Sequence, residues 1–147
     1  MGILYDTNIL IFFVRSQNDN LRAFVNPDKQ PEYISYVNMA ELQSFAIQQN
    51  WQDNKLRRVA EILNSLNVVN IEDEAILNAY VTIDSFSQRK NAVMKSPFRT
   101  PRNMGKNDIW IAATAMALNF KLITTDADFD HLTMLTIDKY KPNALPQ

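Results

Sequence analysis

Four acidic residues stand where this chain passes from an extended segment into a helix, or where a helix has just begun. They are Asp6 in GILYDTNIL, Glu41 in NMAELQSFA, Asp108 in GKNDIWIAATA and Asp126 in LITTDADFD. A doubly wound sheet gathers such points at one crevice, outside the carboxyl ends of its parallel strands. Carboxylates converging there repel. At about 4 Å a pair costs roughly 1 kcal/mol in water and about 4 kcal/mol in a protein-like dielectric. A divalent cation relieves that cost, and an all-oxygen ligand set suits Mg²⁺ or Mn²⁺. The chemistry such a centre supports is metal-assisted phosphodiester hydrolysis by an activated water.

Each acid also has a local explanation. Asp6 is a natural N-cap for a helix beginning near Thr7. Asn38 and Glu41 have the spacing of a capping box. Asp108 falls in the first turn of a helix, where the dipole favours an anion. Asp126 is placed to cap a short helix in DADFD. Capping accounts for where each acid sits, but Ser, Thr or Asn would cap as well. An entire rim of carboxylates asks for a cation.

The elements that must position these acids alternate. Residues 2–5 predict a strand, followed at once by a helical pattern through Ile9, Phe12 and Phe13. SQNDN and NPDKQPE are turn-like, and two prolines break any helix there. Residues 33–37 predict a second strand, with a helix opening at Asn38 and running through Leu42, Phe45 and Ile47. Leu56, Val59, Ile62, Leu63 and Leu66 recur at helical spacing. LNVVNI is a third strand, and residues 72–86 a helix with Ile76, Tyr80 and Ile83 on one face. Residues 107–118 are a helix, KLITT a strand, DADFDHL a turn or short helix, and TMLTI an edge strand. Strands alternating with helices imply a three-layer α/β/α fold around a central parallel sheet of about four or five strands. Glu41 lies one turn into its helix, so its longer side chain can reach back to the shared mouth.

At 147 residues the chain is expected to form a single domain, 1–147. Residues 88–106 change character: they are basic, hold two prolines and a glycine, and show no apolar period. They are expected to be a loop or insertion, and the tail at 139–147 to be loosely held. Without cysteine there are no disulfides or thiolate metal sites, which fits a cytoplasmic protein. The longest apolar run, ILIFFV, is far too short to span a membrane. His131 is the only histidine, expected to pack or face solvent, so histidine-based mechanisms have little to stand on. Gly2 and Gly105 are the only glycines, which excludes a Walker loop and a dinucleotide fingerprint.

The net charge of −1 conceals an asymmetry. Of sixteen acids, setting the four rim candidates aside leaves twelve against fifteen bases. Arg89, Lys90, Lys95, Arg99, Arg102 and Lys106 cluster just before Asp108. Such a patch attracts a polyanion, although a solvated loop explains it equally simply. Within the proposed chemistry, Arg99, Arg102 and Lys106 would hold flanking phosphates, which positions a strand without reading its sequence.

LYDTNILI, NMAEL and NDIWIAATAMALNFKLITTDADFDHL together resemble the PIN-domain ribonucleases, above all the VapC-type toxins of bacterial toxin–antitoxin pairs. The blocks span nearly the whole chain, and the last is the most specific. What departs is the long basic segment before Asp108. The resemblance implies that Asp6, Glu41, Asp108 and Asp126 are metal-site carboxylates of an Mg²⁺- or Mn²⁺-dependent endoribonuclease. It makes Asn8, in the DTN triplet, a candidate for orienting Asp6 or the substrate, with capping of the first helix as its other role. Thr125 is a candidate for bonding a carboxylate or phosphate, or a strand-end threonine with a structural role only. Asp130 is a possible supporting acid or a solvated residue. RNA, single-stranded or tRNA-like, is the implied substrate. A cognate antitoxin protein and a homodimer are the implied partners, with Phe12 and Phe13 offering an apolar contact. The alternatives are a PIN-fold module that binds RNA or protein without cutting, and a metal-dependent phosphatase. A haloacid-dehalogenase-like phosphatase would want Asp where Asn8 stands.

Overall fold

The computed structural model describes residues 1–16 and 18–146. Gln17 of the SQNDN turn and Gln147 of the tail lie outside them. Five strands, β1 (Ile3–Tyr5), β2 (Glu32–Ser35), β3 (Asn67–Val69), β4 (Lys121–Thr124) and β5 (Thr136–Lys139), form one sheet in the order β3-β2-β1-β4-β5. Every pairing is parallel, with Ile3 opposite both Glu32 and Lys121. The helices are α1 (Thr7–Arg15), α2 (Asn20–Val25), α3 (Tyr36–Gln48), α4 (Asp53–Ser65), α5 (Glu74–Ser87) and α6 (Lys106–Leu118). Among the described residues no helix is long and apolar enough to cross a membrane.

Two cores follow from the strand period of two, because successive side chains enter opposite faces. Ile3, Tyr5, Ile34 and Ile123 turn toward Ile9, Leu10 and Phe13 of α1, Leu42 of α3 and Ile62 of α4. Leu4 and Leu122 turn the other way, onto Ile76, Ile83 and Phe86 of α5 and Ile111 and Ala112 of α6. The central strands are therefore apolar on both sides, as strands buried between two helical layers must be. Phe13 is core, whereas Phe12 is only half-buried.

Two local expectations are corrected. The six-residue α2 lies in a stretch that shows no helical period. Helix α3 starts at Tyr36, because Ser35 accepts from the Val37 N–H (3.1 Å) and the Asn38 side chain returns to the Ser35 N–H (2.9 Å). The capping box is thus Ser35–Asn38, and Glu41 is released from it. Residues 88–105 contain neither helix nor strand, yet the segment is held down at several points. Phe98 packs edge-on against Phe86, Arg102 N–H donates to the Ser87 carbonyl (2.8 Å), and Asn91 Oδ1 accepts from the Val93 and Met94 N–H groups. The tail is anchored too, since Leu145 is 4% exposed and joins the α1–α4 core.

Candidate metal centre

Strand β1 continues to β2 on one side, and the chain later returns through β4 on the other. The β1–β4 pair is therefore the switch point of the sheet, where ligands settle in open α/β folds. Asp6 follows β1 directly. It is 4% exposed, and both its oxygens are engaged: Oδ1 accepts from the Thr7 N–H (2.8 Å) and Oδ2 from the Thr124 hydroxyl (2.7 Å). The same Thr124 oxygen accepts from the Asp126 N–H (2.9 Å), tying the ends of β1 and β4 together. Asp126 in turn caps the 3₁₀ turn Ala127–Phe129 through the Asp128 N–H (2.9 Å).

Glu41 approaches from α3. Its Oε1 accepts from the Thr7 hydroxyl (2.7 Å) and its Oε2 from the Asn107 side-chain amide (3.2 Å), so both oxygens are fixed. The Asn38 amide donates to the Thr7 oxygen (3.1 Å), extending the network back to the α3 cap. Asp108 stands in the first turn of α6. Asp6, Glu41, Asp108 and Asp126 all line one cavity of about 690 Å³, together with Asn8 and the apolar side chains Ile11 and Phe45.

At the edge of this mouth Asp108, Asp126 and Asp128 each place one carboxylate oxygen within 4.8 Å of the others. Asp128 escaped the sequence reading, which considered Asp130, one turn beyond Asp126, as either a supporting acid or a solvated residue. The turn is 3₁₀ rather than α, and its cap brings Asp128 beside Asp126. Asp130 instead forms an ion pair with Lys139 at 2.6 Å. Thr7, Asn107 and Thr124 were also missed. Hydroxyls and amides beside the acids were the only available signal, and Thr125 was chosen over Thr124. Thr125 makes no side-chain hydrogen bond among the described residues. Arg99, Arg102 and Lys106 are all exposed, and the Arg102 guanidinium lies 5.2 Å from the centre of the Phe98 ring.

The electrostatics of the mouth are unfavourable for bare carboxylates. Burial, followed by Asp6, Asp126, Glu41 and Asp128, pushes Asp108 up to about 7. Burial likewise lifts Asp6 to about 6; the Thr124 and Thr7 hydrogen bonds oppose that rise, and Asp126 and Glu41 add to it. Apart from the Thr and Asn donors, no cation of the chain is paired with these acids among the described residues. Oxygen-only donors, crowded and partly desolvated, fit a hard divalent ion such as Mg²⁺ or Mn²⁺.

A parallel, doubly wound domain with a carboxylate mouth at its switch point is the class that this fold and site define. The chain matches the PIN domain family over residues 3–134 and belongs to that family. The complex VapBC2 from Rickettsia felis, solved bound to a DNA fragment from its promoter, contains a chain of the same fold. The TM-score is 0.76 at 19% identity, covering 96% of this chain and 100% of that one. VapBC-1 from nontypeable Haemophilus influenzae gives a TM-score of 0.72 at 24% identity, covering 95% and 98%. FitAcB from Neisseria gonorrhoeae gives 0.66 at 22%, covering 99% and 100%. A search of curated proteins returned no match.

Proposed function

We propose that this chain is an Mg²⁺- or Mn²⁺-dependent endoribonuclease, acting as the toxin of a toxin–antitoxin pair. The observation that carries the proposal is the convergence of Asp108, Asp126 and Asp128, with Asp6 and Glu41, on one mouth where burial and mutual repulsion hold two carboxyls above their ordinary range. Family membership supports it, since PIN domains are generally nucleases. When bound, the cation acidifies water and offsets charge growing on phosphoryl oxygens. Asp6, Glu41, Asp108 and Asp126 would hold the cation, with Asp128 beside them. Thr7, Asn107 and Thr124 orient those carboxylates. Asn8 faces the same cavity and would meet the RNA strand, and Arg99, Arg102 and Lys106 would meet its outer phosphates. Thr125 would bond a carboxylate or phosphate, and Asp130 would act as a supporting acid, its charge shared with Lys139.

The solved relatives named above are VapBC and FitAB complexes, which supports an antitoxin as partner. A cytoplasmic setting would put the chain beside its RNA. Phe12, half-buried beside Arg15 and Leu145, offers a surface for a partner or a second copy. The test is incubation of the purified protein with mixed RNA, single-stranded DNA and a small phosphate ester, in Mn²⁺ and in EDTA. Metal-dependent RNA cleavage is expected. Cleavage that survives EDTA, or turnover of the ester alone, would remove the proposal.

The fixation of Glu41 leads to a further expectation. Asn107→Ala leaves every acid in place but frees Glu41 Oε2. Groups that orient ligands from behind are typically worth about 10–100-fold in metal affinity. Mn²⁺ titration followed by calorimetry should show a loss in that range, and an unchanged affinity would make the Asn107 contact incidental.

A further inference from the structure

A second cavity, about 580 Å³, adjoins the metal mouth and is lined by Arg102, Asn103, Met104, Asp128, Asp130 and His131. Asp128 lines this cavity and has a carboxylate oxygen within 4.8 Å of those of Asp108 and Asp126, so the cavity begins where the acid cluster ends. Its far wall is the segment 88–105, which the structure pins to the end of α5.

Arg102 is held but unspent. Its N–H is bonded to the Ser87 carbonyl and its guanidinium lies over Phe98. Phe98 is wedged edge-on between Phe86 and His131, at 5.4 Å and 5.5 Å. No carboxylate of the described residues pairs with Arg102, and the Asp130 charge is already taken by Lys139. His131 shares a 2.8 Å hydrogen bond with the Ser87 hydroxyl, and burial and the Arg102 charge lower its pKa, so it adds no cation of its own. Beside Arg102, Asn103 Oδ1 accepts from Gln88 Nε2 (3.1 Å), which fixes the amide; its Nδ2 donates to no described residue.

We propose that this cavity holds the nucleotide next to the scissile phosphate, with its phosphate on the Arg102 guanidinium and its base edge on the Asn103 amide. The proposal rests on the ribonuclease function above. It follows from what the cavity offers: one planar cation, laid over Phe98 and suited to bidentate phosphate binding, and an amide whose Nδ2 is left to read an unpaired base edge. The chain would thus choose its cutting site at this cavity, one step away from the acids that cut.

The experiment uses the full chain and a fluorescein-labelled single-stranded RNA of mixed sequence. Binding is read by anisotropy in the uncleaving Asp108→Asn background, and cut positions are mapped in the chain with all acids intact. Arg102→Gln keeps the stem over Phe98 and removes the charge. It should weaken binding about tenfold, the worth of a contact to a charged group, and reduce the logarithmic salt slope by about 0.7. Arg102→Lys should restore the salt slope but recover only part of the affinity, because an ammonium cannot make the bidentate contact. Asn103→Ala should redistribute the cut positions, and stabilisation by Mn²⁺ should be the same in all variants. If the parent cuts RNA but Arg102→Gln and Asn103→Ala leave affinity and cut positions unchanged, the cavity is not a nucleotide site, while the ribonuclease function stands. If the parent neither binds nor cuts RNA, both fall. Should Arg102→Gln fail to fold, Arg102→Lys and Asn103→Ala decide on the same readouts.

Discussion

Asp108→Asn is expected to cut RNA at least about a thousandfold more slowly than the parent chain, yet to melt at a higher temperature in EDTA. The loss follows from the several kcal/mol that a Lewis acid supplies to phosphodiester hydrolysis, each 1.4 kcal/mol being about tenfold in rate. The gain has a separate origin. Asp108 is squeezed by burial and by four neighbouring acids, which raise it to about 7. Above that pH the folded protein carries a carboxylate that its surroundings disfavour, and the isosteric amide removes the charge. Asp6→Asn should abolish cleavage without the stability gain. Asp6 accepts from both the Thr7 N–H and the Thr124 hydroxyl, and an amide keeps only one acceptor oxygen and turns a donor toward the other partner. Single-turnover cleavage and melting curves at pH 8 test the pair. Parent-like cleavage by Asp108→Asn, or a lower melting temperature in EDTA, would contradict this account.

The metal-free protein is also expected to lose stability as pH rises from about 4 to about 7. Asp6 and Asp108 titrate near 3.8 when unfolded and near 6 and 7 when folded. In that window the folded state binds more protons, so stability falls with rising pH. For the buried Asp6, two pKa units correspond to roughly 3 kcal/mol. Asp108 is more open to water, so screening reduces its share. The acids titrate as a coupled set, and the decline should spread over the whole window. A divalent cation takes the place of the protons. Mn²⁺ should therefore raise the melting temperature strongly at pH 7.5 and little at pH 5. Melting curves from pH 4.5 to 8, in EDTA and in Mn²⁺, measure both effects. A flat profile in EDTA would show that the mouth bears no such strain.

What could be read from the chain was whatever has a period. The apolar runs at 3–5 and 121–124 and the long helices α5 and α6 announce a parallel sheet covered on both sides, within a residue or two at their ends. The helix α2 is too short for its pattern to repeat. The segment 88–105 hides its anchors because Met94, Phe98 and Met104 reach the core from irregular backbone, where spacing means nothing. Within the mouth, each acid's place beside a strand end was legible, but its partners were not. Thr7 and Glu41 are 34 residues apart, and Asn107 and Glu41 are 66 apart, and only tertiary structure joins them. Asp128 was not legible as a neighbour of Asp126, because a turn that winds as tightly as 3₁₀ carries no repeating pattern.

The bond between Thr124 and Asp6 spans 118 residues and joins the central strands of the sheet. Contacts of such separation form late, because a long loop must close before they contribute. On the ribosome, Asp6 and Glu41 emerge early, into a chain that still lacks α6 and β4 and so lacks Asp108 and Asp126. Under the proposed function, the nascent polypeptide would offer a cation its full set of carboxylates only once α6 and β4 had been made. A ribonuclease centre assembled in this way would stay incomplete, and so harmless to the message and tRNAs beside it, until α6 and β4 had followed β1 and α3 out of the ribosome.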